Sequence, residues 1–415
     1  MKEKKGLSLP IQILIGLLAG IVVGILLQSK PEIASTYIKP LGTLFLNLIK
    51  LVIVPLVFAS LVVGVADLKD AKEIGKIGMK TFVYFFLTTA FAIVIGLILA
   101  NLLDVSSGFT LPADQLQFEA KEAPSFIETL INIVPSNPLK SLVEGQMLQI
   151  IVFALILGGG LLYAGEKGTA VFNFFDGLQE AMIYITNGIM KLAPFGVFGL
   201  IVPVVAANGP QVLLPLIKVV GIVYLGCFLH AFLVYGSSIA LVAKLPVGIF
   251  FKKAFAPWAV AFTTSSSAGT LPISLDTCEN ELGVAKPIAS FVLPLGATIN
   301  MDGTAIYQGV CALFIAKVYG LDMSLGQQMT IVLTTVLASV GTAGVPGAGM
   351  IMLAMVLQGV GIPVEGIALV AGIDRIFDMI RTSINVLGDI SCSVIVAKSE
   401  GKFDEEVYRR KQLSK

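Results

Sequence analysis

One segment near the end of the chain carries polar side chains at helical spacing inside an otherwise apolar stretch. Its polar positions have offsets of 0, 4, 7, 8, 11 and 15 residues and are Asp374, Asp378, Arg381, Thr382, Asn385 and Asp389. At about 100° per residue, they fall within roughly a 100° arc of one helix. Such a stripe can bind a charged solute or ions. The alternative is an internal ion-pair network, for example between Asp378 and Arg381.

A second polar segment, NMDGTAIYQ, runs from Asn300 to Gln308 inside another apolar stretch. The Asn-x-Asp-Gly turn is expected to break the helix and to free backbone carbonyl groups. Carbonyl, amide and carboxylate oxygens are ligands of hard cations, and two half-helices would present their dipole ends to an ion. The segment predicts a cation site around Asp302 or, alternatively, a kink with a buried, hydrogen-bonded Asp302.

The elements that position these residues belong to a membrane protein. Of the 415 residues, 56% are apolar and only 13% are charged, and the mean hydropathy is +0.91. Soluble domains carry about 25% charged residues. Stretches long enough to span a bilayer lie near 10–28, 42–66, 79–103, 129–163, 172–206 and 212–243. The first of them lacks a cleavage site, so it is interpreted as a membrane helix and not as a signal peptide.

Four later apolar stretches, near 247–283, 286–318, 326–359 and 364–397, are each interrupted. The first has a polar tip from Thr263 to Thr270, and the third has a glycine-rich tip from Gly341 to Gly349. Irregular backbone at membrane depth is tolerated only inside protein or beside a water-filled cavity. The order of hairpin then helix, repeated, predicts two re-entrant hairpins in an inverted repeat with a site at the midplane.

Basic residues cluster at 2–5, 69–80, 244–253 and 402–411, which places both termini in the cytoplasm. Charge alone allows either two crossings plus two hairpins or four plain crossings after residue 244. The broken segments favour the hairpins.

Other functions find little support in the sequence. The net charge of +1 provides no basic field for nucleic acid. The four cysteines lie far apart, so neither a metal motif nor a disulfide framework is predicted. The single histidine, His230, has no acidic residue near it in the chain and is expected to be structural.

Together, the serine-rich tip, NMDGT, GTAGVPGAG and D-x-x-x-D-x-x-R-T-x-x-N-x-x-G-D resemble the glutamate/aspartate transporter family, over nearly the whole chain. The resemblance implies an all-α polytopic membrane protein, with eight transmembrane helices and two re-entrant hairpins, that works as a homotrimeric elevator in the plasma membrane. It implies scaffold helices in 1–78 and, with an extracellular loop, in 104–206. It implies transport-domain helices in 79–103 and 207–243, hairpins in 244–284 and 321–362, a broken helix in 285–320, a last helix in 363–400 and a tail in 401–415.

The resemblance also implies the ligands. Arg381 would bind the side-chain carboxylate of L-aspartate or L-glutamate, and Asp378 the amino group. The remaining substrate contacts would come from the first tip, the second tip and the two polar helices: Ser265, Ser266, Ser267, Thr304, Val345, Pro346, Gly347, Ala348, Gly349, Thr382 and Asn385.

About three sodium ions are expected by the same resemblance. One site would use carbonyls of Gly296, Asn300 and Asn385 with the Asp389 carboxylate. A second would use the carbonyls of Thr298, Ser339, Val340 and Thr342 and would be closed by the second hairpin. A third would use Thr88, Thr89, Asn300 and Asp302.

Three positions depart from the family pattern. Phe85 stands where the third site commonly has a tyrosine, with Tyr84 just before it, so the ligation of that ion is expected to differ. Ala268 replaces a serine. Other members of the family often carry an arginine at the position of Ser265 or at that of Met379. This chain has no arginine at either position, and Arg375 is the candidate substitute.

Sodium-coupled symport of acidic amino acids is the function that these residues favour. The alternatives are proton coupling, a neutral amino acid or C4-dicarboxylate carrier, and a channel or membrane enzyme. Arg381 disfavours neutral substrates, because it would be left buried and unpaired. Asp378 disfavours dicarboxylates less strongly. No nucleophile–base pair supports an enzyme.

Overall fold

The structure is a computed structural model that describes residues 9–66, 71–105, 131–132, 134–210, 213–339, 348–371 and 373–410. Apart from one antiparallel bridge between Val284 and Phe403, the described residues form helices joined by turns and short loops. Within the described ranges, five helical stretches are long and apolar enough to cross a membrane: 31–66, 76–102, 149–190, 214–242 and 374–399. Shorter apolar helices cover 11–26, 193–207 and 348–359. The prediction of an all-helical membrane protein is confirmed.

Among the described residues, the first half of the chain contains seven α-helices of seven residues or more. They are α1 (Leu9–Leu26), α2 (Lys39–Ala66), α3 (Ala71–Leu102), α4 (Pro138–Glu144), α5 (Met147–Ala164), α6 (Thr169–Met190) and α7 (Ala193–Asn208). The predicted stretch 172–206 is thus two helices. Pro194 lies in the first turn of α7, where its missing N–H leaves no hydrogen bond unmade, and α6 ends just before it.

The second half carries the two polar segments. Its helices are α8 (Leu213–His230), α9 (Val247–Thr264), α10 (Ser267–Asp276), α11 (Lys286–Ile299), α12 (Asp302–Val318), α13 (Leu325–Ser339), α14 (Ala348–Gly359), α15 (Ile367–Ala371), α16 (Asp374–Ser399) and α17 (Glu405–Arg409). Two π-helical segments, Ala231–Gly236 and Ser238–Val242, continue α8.

The first predicted hairpin has a shorter turn than its polar stretch indicated. α9 runs through Thr264, and α10 already begins at Ser267, so only Ser265 and Ser266 leave the helices. Ser265 adopts a left-handed conformation with φ of 51°. The Ser266 hydroxyl accepts a hydrogen bond from the Gly269 N–H at 3.0 Å and caps α10.

The helix break at NMDGT is confirmed. α11 ends at Ile299, Asn300 and Met301 are not helical, and α12 begins at Asp302. The Asn300 backbone is extended, with φ of −83° and ψ of 105°. Asp302 therefore occupies the first turn of α12, where the helix dipole favours a negative charge.

The helices pack in two groups. α2 packs against α5, α6 and α7, and α1 lies on α7. In the other group, α16 packs against α9, α11 and α12, while α3 packs against α12 and α8. Contacts between the groups are fewer and involve α13, α14 and α15, together with the ion pair of Lys50 and Glu365 at 2.7 Å. The assignment of scaffold and transport domains stays a prediction.

Candidate functional site

The polar stripe of α16 faces the interior of the helix bundle. Its six residues are no more than 8% exposed: Asp374, Asp378, Arg381, Thr382, Asn385 and Asp389. Charged groups in so dry an environment need partners, because their desolvation is costly. The partners define two adjoining regions, one around Arg381 and one around Asp389 and Asp302.

Arg381 lies between two carboxylates of its own helix. Its Nη1 is 2.9 Å from Oδ1 of Asp374, and its Nη2 is 2.8 Å from Oδ1 of Asp378. The guanidinium carbon lies 4.3 Å from the centre of the Tyr307 ring, within the range of a cation–π interaction. The Asp378–Arg381 ion pair considered from the sequence is thus present. The roles of Asp374 and Tyr307 were not predicted.

Gly349 brings the second hairpin against Arg381. A Cβ atom at this position would overlap the guanidinium, so only glycine permits the contact. Ala348, also predicted to contact substrate, precedes it at the start of α14. The predicted tip residues Val345, Pro346 and Gly347 lie outside the described residues.

The serines of the first hairpin lie at the turn between α9 and α10, and α10 packs against α16. Ser265 and Ser267 are buried, and the Ser265 hydroxyl has no hydrogen-bond partner among the described residues. Ser266 is used as the cap of α10. The turn thus places one unpaired buried hydroxyl beside the polar stripe.

Arg375 links this turn to α16. Its Nη2 donates to the carbonyl oxygens of Thr263 at 3.4 Å and Thr264 at 3.3 Å, at the end of α9. Its Nη1 lies 3.7 Å from Oδ2 of Asp378. An arginine side chain therefore does lie beside the first tip. It comes from position 375, and not from position 265 or 379, where this chain has Ser265 and Met379.

Asn385 joins α16 to the beginning of α12. Its Oδ1 accepts a hydrogen bond from the Gly303 N–H at 2.8 Å, and its Nδ2 lies 3.4 Å from the Thr304 hydroxyl. Thr304 and Thr382 are 5% and 7% exposed. These three predicted substrate residues thus line the same buried region.

The residues of the first predicted sodium site lie together. Nδ2 of Asn300 donates to the Asn385 carbonyl at 2.7 Å and to Oδ1 of Asp389 at 2.9 Å. A Cβ at Gly296 would overlap the Asp389 carboxylate, so that group also lies against α11.

Two residues of the third predicted sodium site are hydrogen-bonded to each other. The Thr89 hydroxyl donates to Oδ1 of Asp302 at 2.6 Å, and the Thr88 hydroxyl donates to the carbonyl of Phe85 at 3.2 Å. Oδ1 of Asn300 is buried and has no hydrogen-bond partner among the described residues. An unpaired acceptor beside a buried carboxylate fits a cation ligand.

The second predicted sodium site is only partly described, because Val340 and Thr342 lie outside the described residues. Ser339 is buried at the end of α13 and Thr298 is exposed on α11. Each hydroxyl donates to a carbonyl of its own helix, Val336 at 2.7 Å and Leu295 at 2.9 Å.

The fold gives His230 a partner that its sequence neighbours do not indicate. The residue has no acidic neighbour along the chain, but the fold places its Nε2 3.0 Å from Oδ2 of Asp302. The Tyr235 hydroxyl donates to the same oxygen at 2.7 Å. Both residues are fully buried. Sequence reasoning missed them because 72 residues separate His230 from Asp302.

The two regions can bind different kinds of group. The arginine between two carboxylates suits a solute that carries both a carboxylate and an ammonium group. Asp302 and Asp389, by contrast, have no Lys or Arg partner within 4 Å among the described residues. A buried carboxylate without such a partner attracts cations.

The chain is similar to known proteins along nearly its whole length. The profile of the Sodium:dicarboxylate symporter family matches residues 9–399. The chain is 43% identical over 406 residues to the proton/sodium-glutamate symport protein of Geobacillus stearothermophilus, covering 95% of both chains. It is 38% identical to the proton/glutamate-aspartate symporter of Escherichia coli (strain K12), covering 98% of this chain and 97% of that one. It is 34% identical to the C4-dicarboxylate transport protein of Bacillus subtilis (strain 168), covering 96% and 95%.

These relatives are named as transporters, and the match extends over both polar segments and both predicted hairpins. The chain therefore belongs to the sodium:dicarboxylate symporter family.

Proposed function

We propose that this protein is a sodium-coupled symporter of L-aspartate or L-glutamate. The observation that carries the proposal is the position of Arg381 between Asp374 and Asp378 on a buried face of α16. Arg381 would bind the side-chain carboxylate of the substrate in a bidentate manner, and Asp378 its amino group. Asn385, Thr382, Thr304 and Ser267 would hydrogen-bond the remaining polar atoms.

Charge balance explains why cations would accompany the substrate. Arg375 and Arg381 offset Asp374 and Asp378, so the substrate region has no net formal charge. An acidic amino acid adds one negative charge to a dry site that already adjoins Asp302 and Asp389. Cations bound at those carboxylates would neutralise the excess and couple their binding to that of the substrate.

Sodium is preferred over protons as the coupling ion because of Gln308. This residue, one turn beyond Thr304, is fully buried, and its amide cannot titrate. The donors around Asn300, Asp302 and Asp389 are oxygens of the kind that bind hard cations.

The packing of the helices supports an elevator mechanism. The group of α3 and α8 to α16 would carry the substrate and move against the group of α1, α2 and α5 to α7. The second hairpin would open to admit substrate, since its arm at Gly349 contacts Arg381. By resemblance, the protein would act as a homotrimer in the plasma membrane, with both termini in the cytoplasm.

Uptake into proteoliposomes tests the proposal. Radiolabelled aspartate and glutamate should accumulate with an inward sodium gradient and should not accumulate with a pH gradient alone. Accumulation driven by the pH gradient without sodium would contradict sodium coupling. The absence of uptake under either gradient would contradict acidic amino acid symport.

A C4-dicarboxylate carrier is the second candidate. Two guanidinium groups, those of Arg375 and Arg381, lie on either side of Asp378, and such a pair can bind a solute with two carboxylates. Competition by unlabelled succinate or malate distinguishes the candidates. Inhibition as strong as that by aspartate would favour the dicarboxylate, because Asp378 adds affinity only for an amine.

A further inference from the structure

Three donors from two helices converge on the Asp302 carboxylate. The Thr89 hydroxyl of α3 donates a hydrogen bond to Oδ1, while Nε2 of His230 and the Tyr235 hydroxyl both hydrogen-bond to Oδ2. The two rings meet edge to face, with centroids 4.7 Å apart. Asp302 has no solvent exposure, so these contacts decide how its carboxylate is oriented.

The π-helical segment after α8 makes this arrangement possible. His230 and Tyr235 are five positions apart, and in an α-helix they would point roughly 140° away from each other at about 100° per residue. A π-helix closes its hydrogen bonds between residues i and i+5, which brings such positions onto one face. The segment Ala231–Gly236 is π-helical, so both side chains reach the same oxygen.

Gly388 of α16 provides the space that Tyr235 needs. A Cβ at position 388 would overlap both the Tyr235 hydroxyl and Nδ2 of Asn300. The hydroxyl also lies 3.3 Å from the Ile384 carbonyl, which precedes Asn385. Tyr235 therefore lies between the carboxylate of Asp302 and the helix that carries the substrate residues.

We propose that Tyr235 and His230 are positioning residues of the ion site at Asp302. By donating to Oδ2, they keep Oδ1 directed toward Thr89, another residue of the predicted ion site, where a cation can be bound. Outer-shell partners of metal ligands typically account for about 10- to 100-fold in ion affinity. The inference rests on the proposed function, because it assumes that Asp302 binds the coupling ion.

Tyr235→Phe removes one donor without changing the ring. Its control is Tyr224→Phe, which deletes a phenol that also donates to a carbonyl of α16, Ile376 at 2.9 Å, but does not touch Asp302. The measurement is the sodium concentration for half-maximal protection of the purified protein against thermal unfolding, without substrate and without transport. We expect Tyr235→Phe to raise this concentration about tenfold and Tyr224→Phe to leave it unchanged.

A second pair of variants separates positioning from general destabilisation. His230→Gln retains an N–H donor at a similar reach, whereas His230→Leu has similar bulk and no donor. We expect the His230→Gln variant to retain most of the sodium affinity that the His230→Leu variant loses. At saturating sodium, aspartate affinity should return to the wild-type value in Tyr235→Phe, which a merely structural defect would not allow.

The outcomes distinguish the inference from the proposed function. If wild type responds to sodium but Tyr235→Phe responds identically, the positioning role is wrong and the proposed function stands. If wild type shows no response to sodium, both are wrong. If Tyr235→Phe does not fold, equal sodium affinities of His230→Gln and His230→Leu would overturn the inference.

Discussion

Nη1 of Arg381 lies 2.9 Å from Oδ1 of Asp374, two helical turns before it on α16. With Asp378, this carboxylate neutralises a guanidinium that is only 1% exposed. An arginine with two carboxylate partners can exchange one of them for the carboxylate of a substrate and still keep the other. A buried guanidinium without any partner would be strongly destabilising.

Replacement of Arg381 should change the substrate that the protein accepts. Arg381→Cys removes the one positive group, among the residues that the structure describes, that contacts both carboxylates. We expect aspartate and glutamate affinity to fall by about a hundredfold, the value of a strong charge-assisted hydrogen bond, and small neutral amino acids to be admitted. Calorimetric titration with aspartate and serine checks this. An aspartate affinity of the variant equal to that of wild type would contradict the assignment.

Asp389→Asn should raise the sodium requirement. The change keeps the side-chain shape and the hydrogen bond with Asn300 but removes the negative charge from a site of neutral carbonyls. We expect the sodium concentration for half-maximal uptake to rise about tenfold or more, and aspartate affinity at fixed sodium to fall with it, because the two binding events are linked. Measuring uptake across a sodium series tests both effects. A sodium dependence equal to that of wild type would count against the site.

Gly349→Ala should displace the guanidinium. The added methyl group would overlap Arg381, and overpacking of this kind costs about 1–3 kcal/mol, or about tenfold in affinity. The control is Gly221→Ala on α8, where no atom lies within 4 Å of the added Cβ. Equilibrium binding of aspartate measures the effect. Equal affinities in the two variants would show that Gly349 does not approach Arg381 in the binding state.

Gln308→Glu should introduce proton dependence. Both polar atoms of the Gln308 side chain are buried without a hydrogen-bond partner among the described residues. A carboxyl group in this position would bind a proton, since burial favours the uncharged form. We expect sodium-driven uptake by wild type to be insensitive to an imposed pH gradient and uptake by the variant to respond to it. Concentrative, sodium-free, proton-driven uptake by wild type would show that Gln308 has been misinterpreted.

Lys253→Met should loosen the base of the first hairpin. Nζ of Lys253 donates to the carbonyls of Glu281 at 2.7 Å, Val407 at 3.0 Å and Tyr408 at 2.8 Å, which holds the C-terminal segment against α9. Methionine leaves these acceptors without their donor, at a cost of about 2 kcal/mol. A lower melting temperature is expected for Lys253→Met but not for Lys252→Met, whose side chain is exposed. Identical melting curves would contradict the role of this contact.

Much of the protein follows from local sequence. The membrane class comes from composition, the polar face of α16 from the helical period, and the break between Ile299 and Asp302 from an Asn-x-Asp-Gly turn. Each depends on neighbouring residues alone, so each can be predicted without knowledge of packing. The stretch 172–206 was harder, because one proline in a helix's first turn separates two helices that composition presents as one.

Tertiary structure alone decided which charges meet. Asp374 could equally have pointed to a ligand, and nothing in the apolar sequence around His230 indicates that it and Tyr235 lie on Asp302. These contacts require a π-helical turn, a missing Cβ at Gly388 and the packing of α8 against α3 and α16. Periodicity assigns a side chain to a face of its helix. The partner of that face is chosen by how helices distant in the chain fit together, because close packing and the cost of unpaired buried charge act only once they are in contact.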